Sequence, residues 1–252
     1  MGTTGESLRS VYVGASRAIR SAAASTGVLA RLDTSYRTRP RSLRGHLRTL
    51  FAIHDVDDLI ALDVPWWTYG AVDAVEAHLA RLGGAARTFE YGSGASTVWL
   101  ARRCAQVVSV EHHAGFAGVM RRVLAEGGLT DVVDLLEVAP VASAAPVIGS
   151  RRRGEQGRDY ADYVTSIDRF EGTFDLICVD GRARGECLLH AASRLAPGGI
   201  LLLDDSQRPR YADAVRRSGL AIRRFRGWVP SLPYPRETAL LRARTVPGTS
   251  PS

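Results

Sequence analysis

The chain has 252 residues, 45% of them hydrophobic and 23% charged, which fits one substantial globular core and excludes a disordered chain. Its formal net charge is +7, every basic residue is arginine, and no apolar run approaches the roughly 18 residues of a membrane span. Cys104, Cys178 and Cys187 form no Cys-x-x-Cys pair and the N-terminus lacks an apolar secretory core, so reduced thiols in the cytoplasm are expected, with no zinc knuckle or disulfide framework.

Residues 1–45 read as a basic, partly helical extension, with an amphipathic helix near Ser7 to Leu32 through which a partner or a second copy could pack. Arginines crowd this segment and recur at Arg151-Arg152-Arg153. No nucleic-acid module accompanies them, so a solvated face is the reading and nucleic acid is not an expected partner. Residues 46–86 read as a helical cap, ending in a helix over 68–82 with Val72, Val75, Leu79 and Leu82 on one face. Just before it, Pro65-Trp66-Trp67-Thr68-Tyr69 stands either as a lid or as core packing. Residues 87–244 read as one domain, and 245–252 as a flexible tail.

Within that domain, strands are expected at 87–91, 106–111, 132–138, 174–180, 199–205, 221–228 and 237–243. Helices fill 95–104, 114–126, 159–169, 185–195 and 210–218, whereas 140–158 is too polar and Gly-rich for an element. Seven strands alternating with helices give an α/β fold, a Rossmann-like doubly wound sheet. Pro197-Gly198-Gly199 breaks the helix before the fifth expected strand, whose apolar run is Ile200 to Leu203.

The most informative stretch runs from Thr88 to Glu111: an apolar strand ending at Glu90, a Gly92-Ser93-Gly94 turn, a helix opened by Ser96-Thr97, and a second strand ending at Glu111. Glycines admit a ligand where a β-carbon would collide, and an acid at the second strand tip can accept from two ribose hydroxyls. A dinucleotide fingerprint wants glycine where Thr97 stands, and Glu90 would face a pyrophosphate as anion against anion. A cationic, adenosine-based ligand such as S-adenosylmethionine suits Glu90 better.

The pattern Glu90-x-Gly92-x-Gly94-x-Ser96-Thr97 resembles the first motif of class I S-adenosylmethionine-dependent methyltransferases. Downstream, Phe174-Asp175-Leu176-Ile177-Cys178-Val179-Asp180 and Leu195-x-Pro197-Gly198-Gly199-x-Leu201 are similar to that family's fourth and fifth strands. The resemblance covers roughly Thr88 to Arg242 and implies an antiparallel last strand at Thr238 to Leu241. It also implies cofactor contacts at Glu90, Gly92, Ser93, Gly94, Ser96, Thr97 and Glu111.

Asp180, Asp204 and Asp205 are the catalytic candidates. In methyltransferases of the catechol and caffeoyl-coenzyme A type, similar positions hold a divalent ion, so the resemblance implies magnesium at these three acids. Asp205-Ser206 departs from the asparagine usual there, and without a metal Asp180 or Asp204 would serve as general base or orient a hydroxyl. Nearby Arg182, Arg184 and Arg208 either bind an anionic acceptor or neutralise the aspartates.

The chain lacks the Asn/Asp-Pro-Pro-aromatic motif of nucleobase amino methylases, and no cysteine follows a proline as in cytosine-carbon methylases. The expected reaction is methyl transfer to a hydroxyl of a small molecule or saccharide. A nicotinamide-dependent oxidoreductase and a non-catalytic, methyltransferase-like binding protein are the alternatives.

Overall fold

Short apolar runs alternating with amphipathic segments build a seven-stranded sheet with helices on both faces. The structure is a computed structural model and describes residues 27–52, 56–150 and 154–244. The arginine triplet 151–153, the tail 245–252 and most of the expected helix at 7–32 lie outside these residues. Four helices come first: α1 (Val28–Thr38), α2 (Leu43–Leu50), α3 (Val56–Ala61) and α4 (Tyr69–Arg81). Then follow β1 (Arg87–Tyr91), α5 (Ala95–Ala101), β2 (Gln106–Glu111), α6 (Ala114–Glu126), β3 (Val133–Glu137), and the two-residue strands β4 (Val141–Ala142) and β5 (Arg158–Asp159). The chain continues through α7 (Ala161–Thr165), β6 (Phe174–Val179), α8 (Arg184–Ala191), β7 (Leu195–Asp204), α9 (Ala212–Arg217), β8 (Ala221–Gly227) and β9 (Arg236–Arg242).

The sheet order is β3-β2-β1-β6-β7-β9-β8. Pairings are parallel from β3 to β7, and β9 runs antiparallel to both β7 and β8, as the resemblance implied. Each central strand serves two cores because its side chains alternate. On β6, Leu176 and Cys178 pack with Val72, Leu79, Val98 and Met120 of the α4–α5–α6 face. Ile177 and Val179 pack with Tyr163, Leu188 and Ala214 of the α7–α8–α9 face. All three cysteines are buried and free. No helix among the described residues is long and apolar enough to cross a membrane.

Two expectations are corrected. The helix expected over 185–195 stops at Ala191, a 3-10 turn carries the chain to Arg194, and the strand expected from 199 already begins at Leu195 as β7. The register against β6 jumps from Phe174↔Leu195 to Leu176↔Ile200, so residues 196–199 form a bulge. Gly198 has φ +78 there, and a β-carbon on Gly199 would lie 3.0 Å from the carbonyl oxygens of Ala196 and Phe174. The loop 140–158 also contains structure, for β4 and β5 close its ends as an antiparallel ribbon.

Helices α1 to α3 are tied together by charge as well as by packing. The Arg48 guanidinium donates to both oxygens of Asp58 at 3.0 Å and also to Asp33, with Arg48 and Asp58 both buried. Removing one partner of a buried pair leaves the other charge without compensation. Asp58→Ala should therefore lower unfolding free energy by about 3–5 kcal/mol in urea titration, whereas a change within about 0.5 kcal/mol, as at ordinary surface sites, would show that Asp33 alone satisfies Arg48.

Candidate functional site

The strand order reverses between β1 and β6, so a crevice opens at their carboxyl ends. Gly92 leaves β1 with φ +98, and a β-carbon there would meet the Gly181 Cα at 2.7 Å and N at 2.8 Å. Tyr163 presses on Gly181 from the other side; a β-carbon on Gly181 would be 2.0 Å from the Tyr163 hydroxyl. The Asp180 N–H donates to the Tyr91 carbonyl (3.0 Å) and the Gly92 N–H to that of Val110 (2.9 Å). The glycine turn, the tip of β2 and the Asp180-Gly181 turn are thereby fixed as one unit. At Gly94, by contrast, a β-carbon would meet nothing within 4 Å, so the outer side of the loop is open.

Glu90 does not face that opening. It is 0% exposed, and its carboxyl accepts from the hydroxyls of Ser96 (2.5 Å), Thr97 (2.5 Å) and Ser109 (2.7 Å). Thr97 Oγ1 in turn accepts from the Gly94 N–H (2.9 Å), which pins the loop to the first turn of α5. Glu90 shapes the loop from beneath and does not line it. The expectation that it meets a cationic ligand directly is corrected on that ground. Ser109 was legible as the one polar residue inside the Val107–Val110 run, although the sequence did not say what it serves.

Glu111 stands at the tip of β2 beside the turn. Its carboxylate accepts from the backbone N–H groups of Ser93 (3.3 Å) and His113 (2.8 Å), with the His112 ring nitrogen Nδ1 2.8 Å away. Burial pushes the Glu111 carboxyl up, but His112 and the two backbone donors outweigh it and hold the group below its ordinary value. The glycine loop and an ionised acid are thus one hydrogen bond apart, with open space over Gly94. That arrangement fits an adenosine-type cofactor.

Asp180, Asp204 and Asp205 converge as expected, but around an arginine. Arg184 Nη2 lies 2.6 Å from Asp180 Oδ1 and donates to the Asp180 carbonyl at 2.7 Å. Its Nη1 donates to the Asp204 carbonyl at 2.7 Å and approaches Asp204 Oδ2 at 3.3 Å and Asp205 Oδ2 at 3.8 Å. Nε donates to the Gly181 carbonyl at 3.1 Å. Asp205, at φ 54, is held by Arg208 through Oδ2 and by Arg236 Nη1 through Oδ1 at 2.6 Å. Burial pushes the Asp180 carboxyl up, opposed by Arg184 and reinforced by Asp205. Burial and then the charge of Asp180 raise Asp204, again opposed by Arg184.

Where magnesium was expected among these three acids, the structure places a guanidinium. The donor set offers no free carboxylate edge shared by all three. Arg182 does not join the cage: its Nε lies 3.9 Å from Glu155 and is a buried donor without a hydrogen-bond partner.

Three partners of these acids went unseen in the sequence. Trp67 is fully buried, meets Trp99 edge-on with ring centroids 5.9 Å apart, and directs Nε1 to Asp180 Oδ2 at 3.3 Å. It is core with a polar contact, and no lid. Thr238 Oγ1 donates to Asp204 Oδ1 at 3.0 Å and accepts from the Thr68 N–H at 3.1 Å. Arg236 lies 31 residues beyond Asp205, a separation at which no local pattern signals contact.

Residues 89–206 match the sequence model of a family described as "Methyltransferase domain". Among solved structures, the chain is similar to an O-methyltransferase from Bacillus cereus crystallised with SAH: 17% identity, 78% of this chain and 90% of that chain covered, TM-score 0.53. It is likewise similar to TomG, an O-methyltransferase of Streptomyces achromogenes involved in tomaymycin synthesis, in complex with SAM: 21% identity, 68% and 78% covered, TM-score 0.50. No curated protein matches the sequence. At such identities the structural likeness speaks for the fold. The chain thus shares the fold of these O-methyltransferases, and its residues 89–206, somewhat under half of the chain, match the methyltransferase-domain model.

Burial pushes the Glu90 carboxyl up to about 7, against the pull of its three hydroxyl donors and with help from the Glu111 charge. A carboxyl raised on folding contributes fully to stability below its ordinary value of 4.5 and loses that contribution as pH rises through about 7. Between about pH 5 and about pH 8.5, urea unfolding should therefore shift in favour of Glu90→Gln over wild type by about 2–3 kcal/mol. A gap that stays constant with pH would mean that Glu90 titrates as an ordinary glutamate.

Proposed function

We propose that the chain transfers a methyl group from S-adenosylmethionine to a hydroxyl of a small molecule or saccharide. The observation that carries this is the joining of the glycine loop to the Asp180-Gly181 turn, which sets the cofactor loop and the acid cluster on one edge of the sheet. When bound, the sulfonium supplies an activated methyl group, so the protein chiefly aligns the reactants and accommodates one proton. The Gly92–Gly94 turn admits the cofactor, with Ser96 and Thr97 fixing the loop through Glu90. Glu111 accepts hydrogen bonds from the ribose. Asp180 is the acid most open to an acceptor, at 22% side-chain exposure against 13% for Asp204 and 10% for Asp205. Its carboxylate can orient the acceptor hydroxyl or take its proton, while Asp204 and Asp205 hold the surrounding arginines in place.

A cavity of about 670 Å³ opens beside the cluster, lined among others by Arg182, Arg184, Arg208, Arg210 and Tyr211. Its walls favour a polar acceptor that carries oxygen-rich or anionic groups.

Calorimetry with S-adenosylmethionine, S-adenosylhomocysteine and NADH tests the reading. The first two should bind in the micromolar range and NADH should not, and Glu111→Ala should weaken both by about tenfold or more, roughly 1.4 kcal/mol. NADH binding alone would return the site to the oxidoreductase alternative. Cofactor binding without methyl transfer to any hydroxyl-bearing acceptor would favour a non-catalytic binding protein.

A further inference from the structure

We infer that Arg184 is the resident cation of the acid cluster, standing where a divalent ion would otherwise sit, so that the intact chain takes no metal at Asp180, Asp204 and Asp205. The inference rests on the methyl-transfer reading for what the cluster serves, while the occupancy argument stands on the cluster's own geometry.

A guanidinium has five N–H donors on three nitrogens, and each nitrogen of Arg184 donates a hydrogen bond. Nε donates to the Gly181 carbonyl, Nη1 to the carbonyl and a carboxylate oxygen of Asp204, and Nη2 to the Asp180 carbonyl, while Nη2 also forms an ion pair with Asp180 Oδ1 at 2.6 Å. Three of these partners are backbone carbonyls at the carboxyl ends of β6 and β7. Arg184 therefore ties two strand ends together as well as balancing charge, a task that a lysine's single ammonium could not perform. Removing it would strand those carbonyls without their donors.

The third acid is closed to a metal independently. One oxygen of Asp205 is held by Arg208 and the other by Arg236, so three carboxyl groups face three guanidiniums. A dication entering this set would add two unbalanced positive charges. Magnesium also keeps several waters in near-octahedral geometry, yet the side chains of Arg184, Asp204 and Asp205 are only 12%, 13% and 10% exposed. Arg184 is consequently a positioning residue: it holds the Asp180 carboxylate by an ion pair and the Asp180 and Asp204 carbonyls by hydrogen bonds.

Manganese titration followed by the electron paramagnetic resonance of free Mn²⁺, with S-adenosylhomocysteine calorimetry on the same samples, decides the matter. Wild type should leave the free-ion signal intact up to about millimolar protein, weaker than the micromolar range of a dedicated site, and its cofactor binding should not change with Mn²⁺ or EDTA. Arg184→Ala should gain Mn²⁺ affinity by at least about tenfold as Asp180 and Asp204 are released, about 1.4 kcal/mol. Arg184→Lys, which retains a cation, should gain none. One Mn²⁺ per wild-type chain, lost in Asp204→Asn, would overturn the inference, as would a folded Arg184→Ala no better than wild type. If Arg184→Ala fails to fold, the wild-type titration decides by itself. An undiminished free-Mn²⁺ signal in a chain that also fails to bind S-adenosylhomocysteine would remove the methyl-transfer reading and leave the assignment of Arg184 standing.

Discussion

The closest approach in the molecule that function depends on is between two backbones, at Gly92 and Gly181. β1 and β6 are parallel neighbours whose chains leave in different directions, one into α5 and the other into α8. Both turns must clear each other within the spacing of adjacent strands, and a β-carbon at either position would lie about 3 Å or less from the other turn's backbone. Glycine at both places lets the loops meet, and the hydrogen bonds from Asp180 to Tyr91 and from Gly92 to Val110 lock the meeting. Everything that the site needs, from Glu111 on one side to Asp180 on the other, is referred to that contact.

Two buried ionisable groups support the crevice by opposite means. Glu90 is surrounded by hydroxyls that can donate but bring no positive charge, so burial governs and the carboxyl holds its proton to near neutral pH. Arg184 is nearly as buried, yet it keeps its charge because the acids around it outweigh the cost of burial and carbonyls accept from its nitrogens. A neutral anchor lies under the loop that would receive a cationic cofactor, and a charged one lies among the acids that would face the acceptor. The difference follows from partners, since burial is common to both.

The strand-and-turn grammar was legible because it rests on local physics. Apolar runs ending at Glu111 and Val179 and the reversed strand around Thr238–Leu241 emerge close to where the residues place them. The start of β7 was not legible, since Pro197-Gly198-Gly199 reads as a stop signal and only the bulge opposite Phe174 and Leu176 turns it into strand. The acids of the site could be named from the sequence, but their environment could not. Arg184 follows Asp180 by four residues and invites a pairing, yet that spacing alone does not reveal a guanidinium between two strand ends. For Glu90, the sequence showed an acid at the strand end but not that hydroxyls from α5 and β2 would close over it.

The residues that condition the acids mostly lie outside the segment that the family match covers. Residues 89–206 hold Asp180, Asp204, Asp205 and Arg184, whereas Trp67, Thr238 and Arg236, each within hydrogen-bonding reach of one of those acids, do not fall within it. Thr68 extends the same linkage, since its N–H meets the very hydroxyl that donates to Asp204. The segment entering α4 and the last strand are therefore part of the acid cluster's wiring, in addition to covering the sheet. The Rossmann-like sheet supplies the positions at the strand ends, and this chain's flanking segments fix their environment. The electrostatic environment of the acid cluster is set by distant parts of the sequence, which is why local motifs showed the glycine loop and the acids but not what surrounds them.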